Sequence, residues 1–154
     1  MKEMKKEKSC GAVIYKIDNN NRISFLIVKQ KTGNYGFPKG HVEEGETEEE
    51  TAIREIKEET NVDAKIDTNF RMISTYSPAR GVIKDVIYFI ATPISDELVA
   101  QPEEIELVMW CDYYTARKTV NFRQNKIILK NAFHYIRRNV LGIKPCTWRK
   151  NKND

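Results

Sequence analysis

The chain lacks the features that would take it outside the class of ordinary single-domain proteins. Its three cysteines, Cys10, Cys111 and Cys146, are far apart, odd in number and without metal-ligand spacing. That argues against a disulfide framework or a cysteine-held zinc, and reads as reduced thiols in a cytoplasmic protein. No apolar run is long enough to span a bilayer, and the opening Met-Lys-Glu-Met-Lys-Lys-Glu-Lys has no apolar stretch of the kind a signal peptide needs. No Gly-, Ser- and Pro-rich linker divides the chain, and no repeat is visible. What remains is 154 residues, room for one core of ordinary size. We expect a flexible tail over 1–8, one domain over 9–143 and a basic tail over 144–154. It should act as a monomer or weak dimer, without a membrane partner.

The formal net charge is only +4, but the charges are unevenly placed. Acidic residues gather between 43 and 67. From Arg117 onward the chain is strongly basic, with Arg123, Lys126, Lys130, Arg137, Arg138, Lys144, Arg149, Lys150 and Lys152. A basic end of this kind steers polyanions. No recognised RNA- or DNA-binding signature accompanies it.

The most informative stretch runs from Gly40 to Val62. A glycine-bearing loop leads into a helix that starts at about Thr47, where Thr47 and Glu50 form a capping-box pattern. The helix carries Arg54-Glu55 and then Glu58-Glu59. Neighbours three and four apart share a helix face, so Glu55 points the same way as Glu58 and Glu59. Three carboxylates within one turn repel one another unless a cation sits among them. Oxygen-rich clusters of this kind suit Mg2+, with Mn2+ as a substitute.

The spacing resembles the Nudix box: Gly40, five residues, Glu46, seven residues, Arg54-Glu55, an aliphatic, Lys57, Glu58-Glu59, Thr60, a turn residue, then aliphatic Val62. Only the last glycine departs, as Asn61. Asn is the next best residue for leaving a helix in the left-handed conformation. Upstream, Phe37-Pro38-Lys39-Gly40-His41-Val42-Glu43 resembles the asymmetrically cleaving dinucleoside tetraphosphate (Ap4A) hydrolases within that superfamily, although these often carry Trp where Tyr35 stands. The resemblance implies a nucleotide polyphosphate as substrate. It implies metal ligands at Glu55, Glu58, Glu59 and the Gly40 carbonyl, with Lys39 and His41 meeting phosphate oxygens. Lys suits this as a compact point charge. Arg54 either pairs with a box glutamate or touches phosphate, and we prefer the first.

Three further places match the same hydrolases. Lys84 to Phe89 resembles the strand that brings a phosphate-binding lysine and a tyrosine to the cleft. Strand alternation puts Lys84, Val86 and Tyr88 on one face, and a lysine turned towards a core is costly unless it meets an anion. Glu103-Glu104 resembles a loop supplying an extra carboxylate, and matching outward from Trp110 selects Glu104 with Glu103 as the fallback. Val120 to Arg123 resembles a segment whose aromatic stacks on adenine, so Phe122 would sandwich a base with Tyr88 or Tyr76.

The coarse structural reading supports an α/β fold. Cys10 to Ile17 and Ile23 to Val28 read as a hairpin around residues 18–21. Phe70 to Tyr76 and Val82 to Ala91 read as strands around the turn at 77–81, with Ile105 to Cys111 a further strand. In the box helix, Ala52, Ile53 and Ile56 would line the core and leave the glutamates outward. Gln124 to Leu141 reads as an amphipathic helix ended by Gly142, with Ile128, Phe133 and Ile136 among its apolar positions. This is the α/β/α sandwich with a mixed central sheet, a catalytic loop-helix-loop and a C-terminal helix that the Nudix resemblance implies. The expected chemistry is attack by water on a phosphate, with Arg54, Glu58, Glu59 and Glu104 as catalytic candidates. Either a box glutamate or Glu104 would take the water's proton. A second reading is another Nudix pyrophosphohydrolase, acting on RNA 5′ ends or nucleoside triphosphates, and under that reading alone RNA becomes a partner. A third is a non-catalytic nucleotide-binding regulator.

Overall fold

The computed structural model describes residues 3–95 and 97–144. Strand β1 (Lys5–Ile17) turns through residues 18–22 into β2 (Ile23–Gln30), with Tyr15 opposite Phe25 and Ile17 opposite Ile23. Asp18 makes this turn: its carboxylate accepts from the Asn20 and Arg22 amides at 2.8 and 3.0 Å, and Asn21 takes the left-handed conformation at φ 61°. Two short strands follow, β3 (Tyr35–Gly36) against β2 and β4 (Lys39–His41) against β1. After helix α1 (Glu48–Thr60) come β5 (Asp63–Tyr76), β6 (Val82–Ser95) and β7 (Ile105–Asp112). The chain ends in α2 (Tyr113–Thr119) and α3 (Arg123–Tyr135), the latter running into a π turn at Ile136–Val140.

The main sheet path is β3-β2-β1-β6-β5, with β4 added to β1 and β7 to β2. Only β1 and β6 pair in parallel, so the sheet is mixed and mostly antiparallel. Strand alternation divides the core in two. Cys10, Ala12, Ile14, Ile87 and Phe89 face α1 through Ala52 and Ile56, while Val13, Tyr15, Phe25, Val86 and Tyr88 face α3 through Ile128, Leu129 and Ala132. Helices therefore cover both faces, giving the expected α/β/α sandwich.

Several local expectations need correction. The first strand begins at Lys5, so residues 5–8 belong to the sheet and not to a flexible tail. They pair with Val82 to Asp85, and the exposed Lys8 ammonium meets Glu48, which makes a charged strand start tolerable. The basic tail, Lys144 apart, lies outside the described residues. Strand β5 starts at Asp63, because an irregularity between Asp67 and Arg71 breaks the alternation that strand patterns rely on. Helix α2 is additional; Asp112 caps it by accepting from the Thr115 amide at 2.7 Å. In α1 the buried face is centred on Ala52, Ile56 and Glu59, which turns Ile53 outward at 39% exposure and brings Glu59 inward at 4%.

Candidate active site

The loop before α1 is pinned to β1. Gly11 pairs with Lys39, Cys10 with Gly40 and Ser9 with His41. Side chains are excluded at two of these contacts. A Cβ on Gly11 would fall on the Pro38 carbonyl and the Lys39 backbone, and a Cβ on Gly40 would fall on the Glu55 carboxylate. The glycines thus allow the loop to lie against β1 and Glu55 to lie against the loop. Helix α1 is fixed at both ends: the full capping box forms at Thr47 and Glu50, and Asn61 leaves the helix at φ 67°, as its position in the motif required.

Arg54 organises the carboxylates. Its Nε donates to Glu46 at 2.7 Å and Nη1 donates to Glu55 at 2.8 Å and Glu58 at 3.2 Å. Nη2 donates to the His41 carbonyl at 2.9 Å. These bonds hold the Glu46 carboxyl down at about 2 and raise the guanidinium above its ordinary value. Glu59 is turned the other way and accepts from the Lys39 amide at 3.3 Å. Burial, then the neighbouring Glu55 and Glu104 charges, push the Glu59 carboxyl up to about 8. Burial raises Glu55 as well, with Glu58 and Glu104 adding to it. Glu104 is exposed, and its backbone carbonyl accepts from the Lys31 amide at 2.9 Å. The loop before it is tied to the end of α1 by Val99 and Gln101 amides donating to the Thr60 and Glu59 carbonyls.

Among the described residues no three His, Cys, Asp or Glu side chains converge as a metal site would require. The physical reason is visible: Arg54 draws Glu55 and Glu58 to one side while Lys39 holds Glu59 on the other. The donor set nevertheless suits a hard divalent cation. It offers carboxylate oxygens that raise one another's pKa, in a cradle where Gly40 leaves room only for Glu55.

Beside this helix lies a cavity of about 330 Å³, mostly apolar in its lining. Of the expected substrate residues, Lys39, Tyr76, Tyr88 and Phe122 line it. Lys39 sits where cavity and carboxylates meet; burial and the nearby Lys84 charge lower its pKa, while Glu59 and Glu55 oppose the change. Lys84 stands in register between Glu7 and Tyr76 and is not part of the cavity wall. His41 is also outside that wall, exposed, with Nδ1 3.9 Å from Glu7. Tyr88 is 2% exposed and held edge-on by Phe37 at 5.6 Å, which makes it a floor. Tyr76 and Phe122, 43% and 64% exposed, are the open aromatics.

Sequence reasoning missed the amide side chains of the cavity: Gln30, Asn34, Gln124 and Asn125 line it. It also missed a clamp. The Tyr35 amide donates to the Asn121 side chain at 2.6 Å, and the Asn121 amide donates to the Tyr35 carbonyl at 3.0 Å. The next residue, Phe122, is held at φ 67°, rare for an aromatic and costly without such restraint. The amide-rich run from Asn121 to Asn125 was the available signal.

Comparison with known proteins identifies the family and the fold. The NUDIX domain model matches residues 8–130. The asymmetrical bis(5′-nucleosyl)-tetraphosphatase of Mus musculus is 30% identical over 141 residues, covering 84% of this chain and 95% of the mouse protein. A crystal structure of a C. elegans Ap4A hydrolase in a binary complex superposes with a TM-score of 0.76 at 28% identity, covering 89% of this chain and 99% of that one. The E. coli dihydroneopterin triphosphate pyrophosphohydrolase shares the fold, with a TM-score of 0.66 at 23% identity, covering 84% and 97% of the two chains.

Proposed function

This chain belongs to the Nudix family, and from that premise we infer that it hydrolyses dinucleoside polyphosphates, turning Ap4A and water into ATP and AMP. The observation that carries this reading is the junction at Lys39, which lines an aromatic cavity of about 330 Å³ and gives its amide to Glu59 of the carboxylate helix. The likeness to asymmetrical tetraphosphatases over most of both chains supports it.

The residues divide by task. Glu55, Glu58, Glu59 and the Gly40 carbonyl would hold Mg2+ or Mn2+, which when bound neutralises phosphate charge and makes a coordinated water more acidic. Arg54 acts as a positioning residue, fixing the directions of Glu46, Glu55 and Glu58. Phe122 and Tyr76 would take one adenine between their faces, over the floor made by Tyr88. Lys39 and Lys84 would grip the phosphates, with His41 at the outer edge of the chain. Glu104 would accept the proton of the attacking water, as the carboxylate outside the box whose charge reaches both Glu55 and Glu59. The water oxygen then bonds to the phosphorus that stays with AMP, the bridging P–O bond breaks and ATP leaves.

A side-by-side assay with Ap4A, 5′-triphosphorylated RNA and single nucleotides, with Mg2+ present, tests the reading. Ap4A should be turned over best. Glu58→Gln and Glu59→Gln should each slow it by roughly two to four decades while the fold persists. Near-normal turnover by both variants at saturating Mg2+ would remove the metal assignment, and a preference for RNA ends would hand the function to the second reading.

A further inference from the structure

Ser9 is fully buried on β1, and among the described residues its Oγ is the one buried side-chain oxygen or nitrogen without a hydrogen-bond partner. A hydroxyl shut away from water with nothing to bond is costly, and native proteins keep few of them. Alanine would fill the same place without that cost. Cys10, Ala12 and Ile14 of this strand face α1, whereas Val13 and Tyr15 face the side of Val86 and Tyr88. Alternation puts Ser9 on the second side, the one that carries the cavity.

Strand register shows what surrounds it. Val86 of β6 stands beside Ser9 on one flank and His41 of β4 on the other, and Ser74 of β5 lies beyond Val86. Val86 and Ser74 both line the cavity. The row Ser74, Val86, Ser9, His41 thus leads from the cavity wall across three strand spacings, about 14 Å, to an exposed imidazole. Ladder bonds run from the Val42 amide to the Lys8 carbonyl and from the Ala12 amide to the Pro38 carbonyl. Ser9 and His41 are therefore a non-hydrogen-bonded pair, the kind whose side chains stand closest. In the rows on either side, Lys84 is beside Glu7 and Lys39 is beside Gly11. The three groups given to phosphate under the proposed function, Lys39, Lys84 and His41, all ring one orphan hydroxyl. Glu7 is the fourth charged neighbour, 3.9 Å from His41.

We propose that Ser9 is a substrate-binding residue whose hydroxyl donates to a non-bridging oxygen of a phosphate held between Lys39, Lys84 and His41. This rests on the cleft being a polyphosphate site, and it sets the course of the phosphate chain, from the cavity across β6 and β1 to β4. The surroundings favour a hydroxyl over a charge. A further cation would add to the repulsion that Lys84 already exerts on the buried Lys39. A carboxylate would repel the phosphate. Serine brings one donor, no charge, and a side chain short enough to lie beneath the long cations. Within the protein nothing answers that donor, whereas a phosphate oxygen is a charged acceptor, which makes the stronger kind of hydrogen bond.

The test uses the full chain with Ser9→Ala and Ser9→Cys, the second keeping a side chain of similar size with a weak donor. Each is melted, titrated calorimetrically with inorganic tripolyphosphate and with adenosine, and assayed for kcat and KM on Ap4A with Mg2+. Ser9→Ala should melt at the same temperature or up to about 4 °C higher, because an orphan donor is removed and no bond within the protein is lost. It should bind tripolyphosphate about ten-fold more weakly and lose kcat/KM for Ap4A by a similar factor, with adenosine affinity unchanged. Ser9→Cys should fall between the two. Tripolyphosphate affinity and kcat/KM within about two-fold of normal in Ser9→Ala would overturn the proposal. So would a melting temperature lowered by more than about 4 °C, the mark of a partner inside the fold such as a bound water. An equal loss of adenosine affinity would also overturn it, as a general disturbance of the cleft. The two readings fail separately. If the unaltered protein binds tripolyphosphate but leaves Ap4A intact, the Ap4A reading fails and the titration alone judges Ser9; if it does not bind tripolyphosphate, both fall.

Discussion

Gly40→Ala should disable the enzyme with little effect on its fold. Gly40 does not have a positive φ, so the substitution brings no backbone strain of the left-handed kind. Its pairing to Cys10 uses backbone groups that alanine retains. The new methyl would instead occupy the space of the Glu55 carboxylate, touching Cδ and both oxygens. Restoring ordinary contact requires that carboxylate to retreat by more than ~1 Å, a scale of misplacement that costs on the order of 100-fold in rate. That corresponds to about 2.7 kcal/mol of barrier. The Arg54–Glu55 bond at 2.8 Å would be broken or rebuilt, at a cost to folding of about 1–2 kcal/mol. The assay is kcat and KM for Ap4A at saturating Mg2+, with a thermal melt alongside: kcat should fall about 100-fold, KM should hold and the protein should still melt cooperatively. In a Glu55→Asp background, where the side chain is one methylene shorter, Gly40→Ala should cost far less, since the two changes act through one contact. Turnover within about three-fold of normal, or equal costs in both backgrounds, would refute the reasoning.

Glu104→Gln should lower kcat with little change in KM, as the loss of a proton acceptor would, whereas Glu103→Gln should be milder. Equal and small effects would reduce that loop to a surface turn. Phe122→Ala should raise KM while largely sparing kcat, because a remote base is stacked alike in ground and transition states. Unchanged Ap4A kinetics would remove Phe122 from the base site. Glu48 accepts both Arg71 Nε and Nη2 at 2.9 Å and meets Lys8, and these partners hold its carboxyl down at about 2. Its folded pKa lies below its unfolded one, so its contribution is present above about pH 4.5 and is lost as pH falls towards 2. Because Arg71 and Lys8 are largely exposed, Glu48→Gln should cost only about 1 kcal/mol at neutral pH. Denaturant melts of the two proteins should converge near pH 2, and a gap that persists there would contradict the ion-pair account.

The parts of this molecule readable in the sequence are those specified by local periodicity and fixed spacing. The capping box at Thr47, the left-handed exit at Asn61 and the alternating core strands each follow from a few neighbouring residues. Charge on an exposed strand leaves no such mark, which is why Lys5 to Lys8 looked like a tail, and the irregularity between Asp67 and Arg71 hid the start of β5 before Phe70. At the site, helical spacing placed Glu55, Glu58 and Glu59 within one turn. It could not say that Arg54 would take two of them and Lys39 the third, because those partners are set by how the loop lies on β1. Glu59 is the sharpest case: its burial depends on the packing of β4 and on the 97–104 loop over the end of α1. The Asn121–Tyr35 clamp spans 86 positions in the chain, so the amide-rich run at 121–125 marks one half of it and nothing local names the partner.

Hydrolysis of Ap4A in 18O-labelled water, followed by mass analysis of the nucleotides, tests the central claim most directly. Asymmetric attack at the phosphorus that stays with the departing nucleoside predicts ATP without label and AMP carrying one labelled oxygen. Replacing Lys84 by Met should blur that choice, since it removes a grip on the phosphates beside the reacting bond. Label in ATP, two molecules of ADP, or no turnover of Ap4A by a protein that removes pyrophosphate from RNA 5′ ends would contradict the account.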